Sequence, residues 1–184
     1  MDLLVSYDCG RYGRARAEIF HVLRRLGEEH GEVERTSVDG IALARTVRDA
    51  REIVRGCRRL DQEGYPFEFA IKWAPVDYWC ATDLDRIRAL LEERIRAQIG
   101  ASERWGLQVA RHRWDRYHTH EIIARLAPAI DRRVDLAHPD KLIRIDVLGR
   151  KTAVSILRPG DVFSARRGQS SPSPAASPPG ARSD

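Results

Sequence analysis

The chain has 184 residues, 42% of them hydrophobic, and a net charge of +5, which fits one ordinary globular domain or two small ones and excludes an extended disordered protein. No signal peptide and no apolar run long enough to span a bilayer are present, so a cytoplasmic protein without a membrane partner is expected. Cys9, Cys57 and Cys80 form no Cys-x-x-Cys pair and no metal-ligand spacing, which predicts thiols that serve packing in a reducing compartment.

From the N-terminus, Leu3-Leu4-Val5-Ser6-Tyr7 reads as a short buried strand. A helix is predicted from about Arg14 to His30, with Ile19, Val22, Leu23 and Leu26 inward and Gly31 as its C-terminal stop. Asp39-Gly40 is a hairpin signal between the strand-like runs 33–38 and 41–44. A second helix spans Asp49 to Leu60, with Cys57 on its core stripe beside Ile53, Val54 and Leu60. Gly64-Tyr65-Pro66 breaks it, and Phe67, Phe69, Ile71 and Trp73 alternate as one face of a strand. This βαββαβ order predicts a ferredoxin-like domain over residues 1–80. Gly10-Arg11-Tyr12-Gly13-Arg14 lies between strand and helix, where backbone N–H groups can hold a phosphate. It is neither a P-loop nor the dinucleotide fingerprint, and a plain turn with exposed arginines is the favoured reading.

A long helix follows from a cap at Thr82 or Asp83 to about Ile99, with an inner stripe of Leu84, Ile87, Leu91, Ile95 and Ile99. Leu107 to Arg113 alternates as a strand ending in basic side chains, and Asp115 to His118 makes a turn. Thr119 is a candidate N-cap for a helix on which Ile122, Leu126, Ile130 and Val134 share one face. Leu142 to Leu148, Gly149-Arg150 and Lys151 to Leu157 read as a hairpin.

These last pieces resemble a THUMP domain, a module of tRNA-modifying enzymes and their adaptors. The likeness is carried by Val109-Ala110-Arg111-His112-Arg113, Thr119-His120-Glu121-Ile122-Ile123, Val134-Asp135-Leu136-Ala137-His138-Pro139-Asp140 and Ile143-Arg144-Ile145-Asp146-Val147. It covers about a third of the chain and implies an α/β THUMP domain over residues 81–164, giving an α+β protein overall. Ile71-Lys72-Trp73-Ala74-Pro75-Val76-Asp77, Cys80-Ala81-Thr82-Asp83 and the N-terminal Leu3-Leu4-Val5-Ser6 with Glu18 and Leu26-Gly27 resemble one subfamily, the stand-alone tRNA adaptor of the RNA cytidine acetyltransferase. Residues 165–184, rich in serine, proline and alanine, are expected to form a disordered tail, with Arg166 and Arg167 at its root.

Charge places the expected partner. Apart from Lys72, Lys141 and Lys151, every strongly basic side chain is arginine, whose planar fork suits phosphate oxygens and stacks on bases, although a GC-rich or heat-adapted genome gives the same total. Residues 1–82 carry 13 basic and 14 acidic groups, whereas 83–164 carry 16 and 12. The excess lies in the half that carries the motif. The expected RNA-binding set is Arg111, His112, Arg113 and Arg116 at the strand end and turn, joined by Lys141, Arg144, Arg150 and Lys151. The resemblance associates the basic pair after this strand with the acceptor end of tRNA, and here Arg111-His112-Arg113 occupies that place. Trp114 or Tyr117 could stack on an unpaired base, or pack in the core. Arg132, Arg133 and the arginines of the 84–99 helix read as a solvated face.

No nucleophile–base pair, metal cage or cofactor loop stands out, so neither a catalytic residue nor a cofactor is expected. His118-x-His120 with Asp115 lacks the further ligands of a metal site, and Asp135 and Asp140 read as residues that fix loop turns. The expectation is a non-catalytic adaptor that presents tRNA to a separate modifying enzyme, the RNA cytidine acetyltransferase. An interaction scaffold without RNA contact and an RNA-modifying enzyme with an unrecognised site are the alternatives.

Overall fold

The computed structural model describes residues 1–112 and 114–165. Two sheets face one another, and each carries its helices on the outer side. The first sheet contains β1 (Asp2–Ser6), β2 (Glu32–Arg35), β3 (Ile41–Arg45), β4 (Lys72–Val76) and a short β9 (Phe163–Ser164), in the order β2-β3-β1-β4-β9 with every neighbour antiparallel. The second contains β5 (Tyr78–Ala81), β6 (Trp105–His112), β7 (Lys141–Leu148) and β8 (Lys151–Leu157), in the order β5-β8-β7-β6. Here β6 and β7 are parallel, joined through α4 (Thr119–Leu126), and the other pairs are antiparallel. The chain passes from one sheet to the other at Asp77, so β5 already belongs to the second sheet, and β9 returns from the far end to complete the first.

On the first sheet, α1 (Tyr12–Arg25) and α2 (Ala50–Gln62) bury Ile19, Val22 and Leu23, and Ile53, Val54 and Cys57, against Leu3, Val5 and Trp73. The first helix stops earlier than its sequence suggests. Gly27 takes a left-handed φ of 78°, and its own N–H and that of Glu28 close the last turn onto Arg24 and Leu23, so Gly27 rather than Gly31 is the stop. Phe67 and Phe69 precede β4 instead of lying in it. The Glu18 carboxylate accepts the N–H groups of Glu68, Phe69 and Ala70 at 2.9, 2.7 and 2.5 Å, holding this stretch away from a strand ladder.

The second core packs α3 (Leu84–Leu90) and α4 on Ile143, Ile145, Val147, Val154 and Ile156. Asp83 caps α3 by accepting from the N–H groups of Asp85 and Arg86. Beyond Leu90 the helix widens into a π turn over Leu91–Ile95 and tightens into a 3-10 turn over Arg96–Gln98. Leu91, Ile95 and Ile99 of the predicted stripe keep to the core side through both changes of turn. All three are buried, at about 1.5–3 kcal/mol for each large aliphatic side chain. The predicted 122–134 face is cut short. Pro128 lies in a 3-10 turn over Ala127–Ala129, so Ile122, Leu126 and Ile130 are buried while Val134 is 54% exposed.

The facing sides of the sheets meet through Leu4, Val38, Ile41 and Val76 on one side and Leu148 and Ala153 on the other. Polar ties fix the join. Arg51 of α2 forms a two-point pair with Asp77 at 2.8 and 2.9 Å, reaches Asp161 at 3.2 Å and donates to the carbonyl of Ile156. Asp77 in turn accepts the N–H of Ile156 at 2.7 Å, and the Ser155 hydroxyl donates to the carbonyl of Pro75. Ala165 still belongs to this body, its N–H donating to the carbonyl of Ile71. The expected tail from residue 166 onward, with Arg166 and Arg167, lies outside the described residues.

Candidate nucleic-acid interface

Because β6 and β7 run parallel, their C-terminal ends emerge side by side. His112 is in register with Leu148, and Leu148 faces Lys151 across the tight β7–β8 turn. Arg111, His112, Arg116, Arg150 and Lys151 therefore gather at one end of the second sheet. Lys141 begins β7 at the opposite end, seven residues from Leu148, or roughly 23 Å away at strand spacing. Arg113, also part of the expected set, lies outside the described residues.

Within that end, the cations differ in availability. Arg111 is spent on the turn: its guanidinium donates to the Thr119 hydroxyl at 2.9 Å and to the carbonyls of Trp114 and Tyr117 at 3.3 and 2.7 Å. Thr119 thus serves Arg111 rather than capping α4. The helix opens at His118, whose N–H is accepted by Glu121 at 2.6 Å, and this bond holds the Glu121 carboxyl below the usual carboxylate range. Arg116 is exposed, with its guanidinium 5.4 Å from the centre of the Tyr117 ring; Arg125 approaches the same ring at 4.8 Å. Trp114 meets Tyr117 edge-on at 5.5 Å, both half-buried against the second core. Arg150 and Lys151 are exposed, and no carboxylate among the described residues engages either head group.

Lys141 and Arg144 do not present free charge. Lys141 is 8% exposed and donates to the carbonyl of Gln98 and to Glu103, 2.6 Å away. Arg144, 9% exposed, faces the first sheet and pairs with Asp146 at 2.7 and 2.8 Å. Burial pushes the Asp146 carboxyl up, but the flanking His112 ring and the Arg144 guanidinium outweigh it and hold the group below its ordinary value. Both residues are therefore internal ion-pair members, a correction to the expected binding set with a simple cause: their partners neutralise them. The Arg144-x-Asp146 spacing on one strand face was a readable sign of this; the Glu103 partner, 38 positions from Lys141, was not.

The acidic loop behaves as its sequence suggests. Asp135 accepts the N–H groups of Ala137 and His138, and Asp140 accepts that of Arg104, whose guanidinium bridges both carboxylates at 3.0 and 3.3 Å. Arg132 and Arg133 lie beyond the end of the helix instead of on its face, and Arg132 braces the carbonyl of Ile99. The His118 and His120 rings stack at 5.7 Å, and among the described residues no group of three or more His, Cys, Asp or Glu side chains converges on a point that could hold a metal. At the β1–α1 loop, the N–H of Gly10 donates to Asp39 at 2.9 Å, so a carboxylate occupies the place a phosphate would take. No helix among the described residues is long and apolar enough to cross a membrane.

Sequence reasoning passed over Arg35 and Trp79. Both line a cleft of about 470 Å³ between the β2–β3 hairpin and the β7–β8 turn, together with Leu43, Leu148, Arg150 and Lys151. The cue for Arg35 and Trp79 is tertiary: they come from different sheets, and neither sits in a motif.

No protein-family model and no curated protein matches the sequence. Solved structures do match its fold. The protein PH1313 of Pyrococcus horikoshii superposes with a TM-score of 0.64 at 16% identity, over 89% of this chain and 55% of that one. TrmN of Thermus thermophilus gives 0.55 at 16% identity, over 84% and 44%. A 4-thiouridine synthetase solved with RNA and ATP gives 0.51 at 17% identity, over 89% and 42%. The chain thus spans about half the length of the structures whose fold it shares.

Proposed function

We propose that this chain is a THUMP-type RNA-binding protein that holds tRNA for modification by a separate enzyme. On this reading the N-terminal βαββαβ unit is a ferredoxin-like domain, and the second sheet with α3 and α4 is the THUMP domain. The observation that carries it is the fold shared with a synthetase solved in complex with RNA, in a chain that sets the exposed Arg116, Arg150 and Lys151 together at one end of its second sheet. Arg116, Arg150 and Lys151 supply phosphate contacts there, while Arg111 shapes the turn that presents Arg116. The chain contributes binding and orientation, and the covalent step belongs to the partner. The sequence resemblance makes that partner an RNA cytidine acetyltransferase working in the cytoplasm.

An electrophoretic shift with tRNA against duplex DNA of equal charge tests the RNA-binding part. Preference for tRNA is expected, and equal affinity would sink it. Nucleoside analysis of tRNA from cells lacking the chain tests the rest: loss of acetylated cytidine is expected, and an unchanged nucleoside profile would remove the adaptor role. Acetylation of tRNA by the purified chain alone would make it an enzyme instead.

A further inference from the structure

The cleft between the β2–β3 hairpin and the β7–β8 turn has a floor and a rim of different chemistry. Trp79, Leu43 and Leu148 make the floor, and Arg45, Arg150 and Lys151 stand around it. Glu34 is its lone carboxylate and is committed to Arg45 at 2.9 Å, so Arg150 and Lys151 border the opening without a counter-charge from the lining. The volume, about 470 Å³, falls within the range of roughly 300–1,000 Å³ typical of small-ligand sites.

Its walls are held from both sheets. The Ser37 hydroxyl donates to the carbonyl of Leu148 at 3.0 Å, and the Trp79 indole N–H donates to Asp2 at 2.6 Å. Arg35 borders the cleft only through its strand position, since its guanidinium lies over the Tyr12 ring at 4.3 Å on the helix side of the first sheet. Trp79 pairs with Ala153 and Leu148 with Lys151, so the indole and the ammonium stem rise from one face of the second sheet, two strand positions apart. The same Arg150 and Lys151 border the cationic sheet end described above, and the cleft is continuous with it.

We propose that this cleft binds one unpaired nucleotide of the RNA, its base laid on the Trp79–Leu43–Leu148 floor and its phosphate held by Arg150 and Lys151. The inference rests on the RNA-binding reading and sharpens it. It makes the N-terminal domain a direct RNA contact, and it makes the ligand an unstacked base instead of a duplex surface. A nucleotide unites a flat apolar face with an anion in one unit, which is what the floor and rim require together.

The test uses the full chain and fluorescence anisotropy with three probes: tRNA, a blunt RNA stem, and the same stem carrying a four-nucleotide single-stranded extension. The extended stem is expected to bind roughly tenfold more tightly than the blunt one, the gain from one stacked base. Trp79→Leu, which keeps an apolar floor, should bring the two stems within twofold of each other while blunt-stem affinity stays unchanged. Leu43→Thr, which puts a β-branched strand former in place but removes the apolar floor on the first sheet, should do the same. If tRNA binds but the extension gives no advantage, or both variants keep it, the cleft assignment falls and the broader RNA reading stands. If an acidic peptide displaces the extended stem as well as unlabelled single-stranded RNA does, the cleft is an anion site without base recognition and the proposal is overturned. If no RNA binds, both fall.

Discussion

Arg144 and Asp146 stand two positions apart on β7 and close a two-point ion pair at 2.7 and 2.8 Å between the sheets, where Asp146 is 1% exposed. From the neighbouring strand the Nε2 of His112 comes to 3.6 Å of the same carboxylate, and this nitrogen is buried without a hydrogen-bond partner. A carboxylate so placed has little solvent to fall back on, so its charge depends on these neighbours.

Replacing Asp146 by Ala should cost about 3–5 kcal/mol, because the Arg144 guanidinium would be left buried and unpaired. Urea unfolding of the two proteins measures this; a loss below about 1 kcal/mol would mean that water reaches the pair freely. Replacing both residues, Arg144→Met with Asp146→Leu, should recover most of the loss.

The pair also sets an acid limit. The folded-state pKa of Asp146 is depressed, so the stability it adds is present above its unfolded value of about 4 and drains away as pH falls through the lower folded value. Unfolding curves between pH 7 and pH 2 should show a steeper decline for the native chain than for the Arg144→Met, Asp146→Leu variant. Parallel declines would refute the assignment.

Salt dependence separates cations that meet phosphate from those that hold the fold. Arg116→Ala, Arg150→Ala and Lys151→Ala should each weaken tRNA binding modestly and lower the slope of log affinity against log salt by about 0.7 to 1. Lys141→Ala and Arg144→Ala should lower thermal stability and leave the slope unchanged, since their charges are already matched inside the protein. A reduced slope for Lys141→Ala would put it back at the interface.

The thiols should react in a fixed order. Cys9 is exposed, whereas burial pushes the Cys80 thiol up to about 11 and raises that of Cys57 further. Iodoacetamide at pH 8, followed by peptide mass mapping, should modify Cys9 first. Cys57 should be labelled only on unfolding, and its early labelling would indicate local opening of α2.

Periodicity made much of the fold readable. The hairpin at Asp39-Gly40, the Asp49 and Asp83 starts, the 84–99 stripe and the β7–β8 turn all follow from local rules. The misplaced ends had tertiary or local rivals: the Glu18 carboxylate took the amides around Phe69, and Pro128 ended a pattern that hydrophobic spacing continued to Val134. The candidate interface was half visible. A sequence shows where charge lies along the chain but not whether a neighbour cancels it. Arg150 and Lys151 emerged free on a turn, while Lys141 met Glu103 and Arg144 met Asp146. Arg35 and Trp79 became neighbours only when two sheets closed on each other, which no local pattern records.

The short β9 strand has a consequence for synthesis. Residues 163–164 supply the outer partner of β4, so a nascent chain at residue 150 holds every helix among the described residues and most strands of both halves, yet an open margin on the first. Closure of that margin waits until residues 163–164 clear the ribosome exit, and a chain truncated before Phe163 would leave β4 free to recruit a strand from another molecule.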